Sequence, residues 1–130
     1  VFDLGHLWLA KTLVQEGLID DPVLVQLCMG IPYGAPNDLN SVMAMVNNMP
    51  EGWCYSMFSI GRMQLPFAAQ AVLAGGNVRV GLEDNIWLSK GVKASNGDLV
   101  ERAVTMLSAM NVNLLTPAEV RSKLNLKKRW

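Results

Sequence analysis

Asn77-Val78-Arg79-Val80-Gly81-Leu82-Glu83-Asp84-Asn85 is the stretch on which the fold turns. Side chains of a strand alternate between its two faces, so Val78, Val80 and Leu82 share one face and Arg79, Gly81 and Glu83 share the other. The apolar face suits packing beneath helices. In an open sheet covered on both sides, the second face would bury an arginine and a glutamate, which is costly unless they are paired. In a closed barrel it points at the lumen, and Glu83 falls at the strand's carboxyl end, where barrel enzymes hold their active sites. Gly81 leaves space there for a ligand or a neighbouring side chain.

Outward from this strand, residues 78–82, short apolar runs alternate with helical periods. Residues 1–4 read as the end of a strand, and residues 6–16 as a helix with Leu7, Leu9, Leu13 and Val14 apolar, stopped by Gly17. Asp21-Pro22 turns the chain into residues 23–29, a β-branched and apolar run. Residues 30–36 are a loop rich in Gly and Pro; Asn37 or Asp38 then caps a helix that ends at Pro50. Residues 53–60 form the next strand, Pro66 occupies the first turn of a helix, and Gly75-Gly76 closes it. Downstream a loop runs through Gly91. Asp98, with Glu101 three residues on, is a capping box that opens a helix carrying Leu99, Val100, Ala103, Val104, Leu107 and Met110 on one face. Thr116-Pro117-Ala118-Glu119 repeats that signal for a short last helix.

Strand starts at about residues 24, 53 and 77 are about 29 and 24 residues apart, the spacing of successive βα units in a parallel sheet. Four such units fit either a small open sheet of flavodoxin type or half of an eight-stranded barrel, whose full length is ~250 residues. The length of 130 residues and a start at Val1, inside what reads as a strand and without an initiator Met, favour the half barrel.

Hydrophobic residues make up 51% of the chain and charged residues 17%, which gives material for a core and too little charge for disorder. Eleven basic residues balance eleven acidic ones, so a partner bound by neutralising phosphates, such as nucleic acid, is not expected. Arg121, Lys123, Lys127, Lys128 and Arg129 crowd the last ten positions and read as a solvated terminus. Cys28 and Cys54 lie in apolar stretches and read as reduced, buried thiols. No run approaches the ~20 apolar residues of a membrane span, and no secretory signal precedes the first strand. A cytoplasmic piece of a larger protein is the expectation.

Chemistry concentrates at Glu83 and Asp84, two carboxylates side by side on opposite faces of the strand end. Two readings stand: a site at a barrel mouth, or a structural ion pair between Arg79 and Glu83 with Asp84 and Asn85 in a loop. Four residues of strand span about 13 Å at ~3.3 Å each, so Arg79 extended toward the mouth could engage Asp84 or substrate instead of Glu83. His6, the single histidine, reads as a polar group at the mouth or a helix-start packing residue. The eight methionines read as core filler. The loop at residues 30–36 lacks the lysine of a phosphate loop, and Ser56 and Ser59 lack a histidine to activate them.

The run Gly75-Gly76-Asn77-Val78-Arg79-Val80-Gly81-Leu82-Glu83-Asp84-Asn85 resembles the β-keto acid cleavage enzymes, the zinc-dependent TIM-barrel family of the 3-keto-5-aminohexanoate cleavage enzymes. The resemblance continues through Phe2-Asp3-Leu4-Gly5-His6-Leu7, similar to the family's fifth strand and its turn, and Ile60-Gly61-Arg62-Met63-Gln64-Leu65-Pro66, similar to the exit from its seventh. Ser95-Asn96-Gly97-Asp98-Leu99-Val100-Glu101-Arg102-Ala103 and Thr116-Pro117-Ala118-Glu119-Val120-Arg121 are similar to its last helices. The resemblance implies that residues 1–130 are the C-terminal half of a barrel, strands five to eight plus a short final helix, whose partner is the missing N-terminal half. It implies conversion of a β-keto acid and acetyl-CoA to acetoacetate and a new CoA thioester, in a homo-oligomer. The family's zinc-binding glutamate falls on Glu83, and its arginine–aspartate pair on Arg79 and Asp84, the aspartate deprotonating the keto acid. The family's His-x-His zinc ligands do not occur in this chain, whereas a catalytic zinc site needs about three protein ligands. The competing expectation is a non-catalytic α/β interaction module with a flavodoxin-like open sheet.

Overall fold

The computed structural model describes residues 1–126. The fold is mixed α/β. Helix α1 (Leu4–Gln15), strand β1 (Leu24–Met29), helix α2 (Leu39–Asn47), strand β2 (Cys54–Ser59), helix α3 (Gln64–Leu73) and strand β3 (Asn77–Val78) alternate along the chain. The three strands form one parallel sheet in the order β1-β2-β3, with Leu24 opposite Cys54 and Ser56 opposite Asn77. A hairpin of β4 (Trp87–Ser89) and β5 (Val92–Lys93), helix α4 (Asn96–Ala109) and helix α5 (Pro117–Lys123) follow.

Local chemistry explains the helix starts. Asp38 caps α2 by accepting from the Ser41 N–H at 3.0 Å, and Thr116 and Glu119 form a reciprocal capping box on α5. The box on α4 is Ser95 with Asp98, not Asp98 with Glu101, so that helix begins three residues earlier than the sequence reading put it. Pro66 is the third residue of α3, where a backbone N–H would have no helical partner in any case. Past the end of α3, Gly75 takes a φ of 82°, and a Cβ on Gly76 would sit 2.6 Å from the Tyr55 ring. Both positions need glycine, and Tyr55 then donates its hydroxyl to the Ala74 carbonyl.

One face of the sheet makes the core. Val25, Leu27 and Met29 of β1 and Met57 of β2 pack with Leu7 of α1, Val42 and Met45 of α2, and Phe67 and Ala71 of α3. Burying each large side chain here stabilises the fold by about 1.5–3 kcal/mol. The filler role read for methionine holds at 29, 45 and 57, whereas Met43 is exposed. Leu99, Ala103 and Leu107 bury the inner stripe of α4; Val100 and Val104, expected on that stripe, are exposed. The opposite face of the sheet carries Gln26, Cys28, Ser56, Phe58, Asn77 and Arg79. Against it lies a cavity of about 460 Å³, walled on its far side by Leu115, Val120 and Leu124.

Three expectations are corrected. The strand read over residues 78–82 ends at Val78, because β3 pairs with β2 only at Asn77 and Val78 and no further strand among the described residues lies beside it to hold the rest extended. Residues 1–4 are not a strand of their own, since Asp3 caps α1 immediately. The Val1 ammonium nevertheless donates to the Gln26 carbonyl at 2.8 Å and its carbonyl accepts from Cys28 N–H at 2.9 Å, the bonding of a parallel ladder along the free edge of β1. The loop through Gly91 contains the β4–β5 hairpin, turned at Lys90-Gly91 with Gly91 at φ 81°. Both thiols are free; Cys28 is buried as expected and Cys54 only half-buried. Lys127, Lys128 and Arg129 of the basic cluster lie outside the described residues.

Candidate active site at the carboxyl end of the sheet

Arg79 leaves β3 on the face opposite the helical core and lies over Phe58, its guanidinium carbon 4.2 Å from the ring centre. Its donors fan outward from there. Nε reaches Asp84 Oδ2 at 3.1 Å, Nη2 reaches Glu83 Oε2 at 2.5 Å and Asp84 Oδ1 at 3.4 Å, and Nη1 reaches Gln26 Oε1 at 2.7 Å. The choice left open by spacing is therefore resolved in favour of both carboxylates at once. Glu83 and Asp84 do not diverge across a strand, because the backbone has left the strand before them: the Asp84 and Asn85 N–H groups both donate to the Gly81 carbonyl at 3.2 Å. This turn folds two consecutive carboxylates back toward one cation.

Three elements clamp the turn. Gln64, fully buried at the head of α3, donates Nε2 to the Gly81 carbonyl at 2.8 Å. Asn96, in the first turn of α4, accepts from the Leu82 N–H at 2.9 Å. Gly61 donates its N–H to the Asp84 carbonyl at 2.7 Å from the 3-10 turn Gly61–Met63. A Cβ on Gly81 would come within 3.3 Å of Asn96 Oδ1, so the space that glycine leaves is taken by a neighbouring side chain. Sequence reading missed Gln26, Gln64 and Asn96. A polar glutamine two residues before Pro66, inside an apolar helix, was the available signal for Gln64.

The two carboxylates differ sharply in environment. Asp84 is 7% exposed, whereas the Glu83 side chain is 82% exposed. Burial pushes the Asp84 carboxyl above its ordinary value, while the Arg79 charge and hydrogen bonds pull it back and the Glu83 charge adds to the rise. Asp84 is thus an aimed carboxylate held more basic than a surface aspartate. Glu83 has one oxygen on Arg79 and one without a hydrogen-bond partner among the described residues. Burial likewise raises the Cys28 thiol, beside Asp84, so it stays protonated.

His6 stands apart. It lies at the start of α1 with its ring 5.6 Å from Phe2, and its Nδ1 accepts from the Phe2 N–H. Ser59 donates to the Met29 carbonyl and Ser56 faces the cavity, neither with a histidine partner. Among the described residues no three His, Cys, Asp or Glu side chains gather closely enough to hold a metal. These residues do not by themselves make a zinc site. No described helix is long and apolar enough to cross a membrane.

The ionised cluster lies where the strands of a parallel α/β sheet end, the side on which such sheets bind ligands. A family model described as beta-keto acid cleavage enzyme matches residues 1–126, and the chain belongs to that family. It is 62% identical over 128 residues to the 3-dehydrocarnitine:acetyl-CoA trimethylamine transferase of Rhizobium meliloti (strain 1021), covering 98% of this chain and 43% of that protein. It is 37% identical to the 3-keto-5-aminohexanoate cleavage enzyme of Fusobacterium nucleatum (98% and 47% covered). With the 3,5-dioxohexanoate:acetyl-CoA acetone transferase of Paraburkholderia graminis it shares 32% (97% and 42%). The chain thus spans less than half the length of these relatives.

Proposed function

We propose that residues 1–130 are the C-terminal half of a TIM barrel and that the complete protein cleaves a β-keto acid at the expense of acetyl-CoA. The observation that carries this reading is the buried Asp84 carboxylate, bonded by both oxygens to Arg79, beside an exposed Glu83 at the carboxyl end of the sheet. The parallel βα order, with Val1 laddered onto β1, fits strands five to eight of a barrel.

In this reading Glu83 contributes one carboxylate to a zinc ion whose remaining ligands come from outside these residues. Zinc bound there would polarise the keto acid's carbonyl and acidify its α-hydrogens. Asp84 accepts a proton from the carbon between ketone and carboxylate, and Arg79 fixes the direction of that transfer. Asp84 keeps the proton while that carbon bonds to the acetyl carbonyl and expels CoA thiolate. Asp84 returns it when thiolate addition to the original ketone breaks the carbon–carbon bond and frees acetoacetate, leaving the new acyl group on CoA.

The 62%-identical relative makes 3-dehydrocarnitine the first β-keto acid to try. The test is acetoacetate formation by the full-length protein carrying this segment, with acetyl-CoA present. Acetoacetate with 3-dehydrocarnitine, 3-keto-5-aminohexanoate or 3-oxoadipate is expected; none from all three would reject the reading.

A further inference from the structure

Next to the Arg79–Asp84 cluster lies a second cavity, of about 790 Å³, within the range of small-molecule sites. Its walls are the head of α3, the β4–β5 hairpin and α4. Three cations line it, Arg62, Lys90 and Arg102, and no carboxylate does. In a chain with equal numbers of acidic and basic residues, that is a local departure from balance. Trp87 lines the same cavity and is half exposed, and the apolar Leu65 and Leu88 line it too.

The cavity is built, not left over. Asn85 accepts from the Trp87 N–H at 3.1 Å and donates to its carbonyl at 2.6 Å, which fixes the backbone that presents the indole. Arg102 donates Nη1 to the Leu88 carbonyl, tying α4 to the hairpin while its other nitrogens stay available. Asn85 directly follows Asp84, and Arg62 directly follows the Gly61 that holds the Asp84 carbonyl. On the outer flank, beyond Leu65 and Leu88, lie Asp98 and Glu101, and the Asp98 carboxylate is committed to Ser95.

We propose that this cavity binds the nucleotide end of a CoA thioester: Arg62, Lys90 and Arg102 pair with its phosphates, and Trp87 offers a face to its adenine. Guanidinium and ammonium groups suit phosphate oxygens, and an exposed indole suits a purine. The same three cations repel a quaternary ammonium, so the cavity does not take the trimethylammonium head of a carnitine-like keto acid. Its place beside Asp84 lets the pantetheine arm carry the thioester to the reacting carbon. This assignment rests on the acetyl-CoA-dependent reading above and goes further by fixing where the co-substrate binds.

The test is calorimetric binding of CoA and of adenosine 3′,5′-bisphosphate to the full-length protein, with steady-state kinetics. The variants are Arg62→Gln with Lys90→Gln, both exposed side chains, and separately Trp87→Leu. Losing two charge-assisted contacts should weaken CoA binding and raise the KM for acetyl-CoA by at least about tenfold. The kcat and the KM for the keto acid should stay within about twofold, and melting curves should match the parent. CoA binding unchanged in a folded double variant overturns the subsite and leaves the proposed function standing. A parent protein that binds no CoA removes both. Displacement of adenosine 3′,5′-bisphosphate by equimolar inorganic phosphate would reveal a plain anion site and also overturn the assignment.

Discussion

Replacing Arg79 by lysine separates charge from geometry. The guanidinium meets four oxygens on three residues while lying over Phe58, and its Nε and Nη2 together bracket the Asp84 carboxylate. Lysine keeps the positive charge but concentrates its donors on one nitrogen, which cannot serve Gln26, Glu83 and both oxygens of Asp84. The pair with Glu83 adds little, since that side chain is 82% exposed. The loss that matters is at Asp84, where a hydrogen bond to a charged group contributes ~1.5–3 kcal/mol and one replacement contact recovers part of it. A net stability cost of about 1–2 kcal/mol is expected, with metal content unchanged because Glu83 remains. Turnover should fall much further, by about 10- to 100-fold, because a misplaced base loses its aim even while it stays ionised. The assay is acetoacetate formation per folded molecule in the full-length protein, with melting curves and metal analysis on the same samples. If activity simply tracks the folded fraction, Arg79 is a structural residue and the orienting role is wrong.

Four further outcomes are expected. Because burial raises the Asp84 carboxyl and the reaction needs it ionised, the acidic limb of kcat/KM should lie above the ordinary aspartate range and disappear in Asp84→Asn; an acidic limb unchanged by that substitution would count against the base. The same shift has a stability consequence of opposite sense: the folded state binds the proton more tightly than the unfolded one, so this group's contribution falls as pH rises from the ordinary aspartate value through the raised one, which denaturant midpoints in parent and Asp84→Asn can follow. The isolated 130-residue chain, with exposed Phe2, Leu24, Trp8 and Leu9 and a sheet face only partly covered, should self-associate and bind zinc weakly. Sedimentation showing a compact monomer across micromolar concentrations, or titration showing a stoichiometric submicromolar zinc site, would contradict those two expectations.

Much of this was legible in the chain, and the limits have physical causes. The starts of β1, β2 and β3 fell within a residue or so of the reading because runs such as residues 23–29 and 53–60 are mostly apolar and bounded by turn residues. The α2 cap and the α5 capping box follow from side chains acting on their own neighbours, which sequence shows directly. The shortness of β3 was illegible because strand length depends on a neighbouring strand. The hairpin was missed because its strands are three and two residues long, too short for alternation to register, although Lys90-Gly91 between Trp87 and Val92 was a turn signal. At the site, the alternation that set Arg79 apart from Val78 was right. Extending it to Glu83 and Asp84 was not, because Gln64, Asn96 and Gly61 bend that segment from elements distant in sequence. The difference between a buried Asp84 and an exposed Glu83 exists only once those elements are packed.

The central claim is that Asp84 moves the α-proton while Glu83 serves the metal. Solvent deuterium exchange at the α-carbon of the β-keto acid, followed by NMR in the full-length protein without acetyl-CoA, tests it directly. Free β-keto acids exchange on their own, so the quantity read is the enzyme-dependent rate above that background. Asp84→Asn should lose at least ~10²-fold of that rate with zinc content near normal, and Glu83→Gln should lose exchange and zinc together. Exchange at the parent rate in a folded, zinc-replete Asp84→Asn protein would contradict the account.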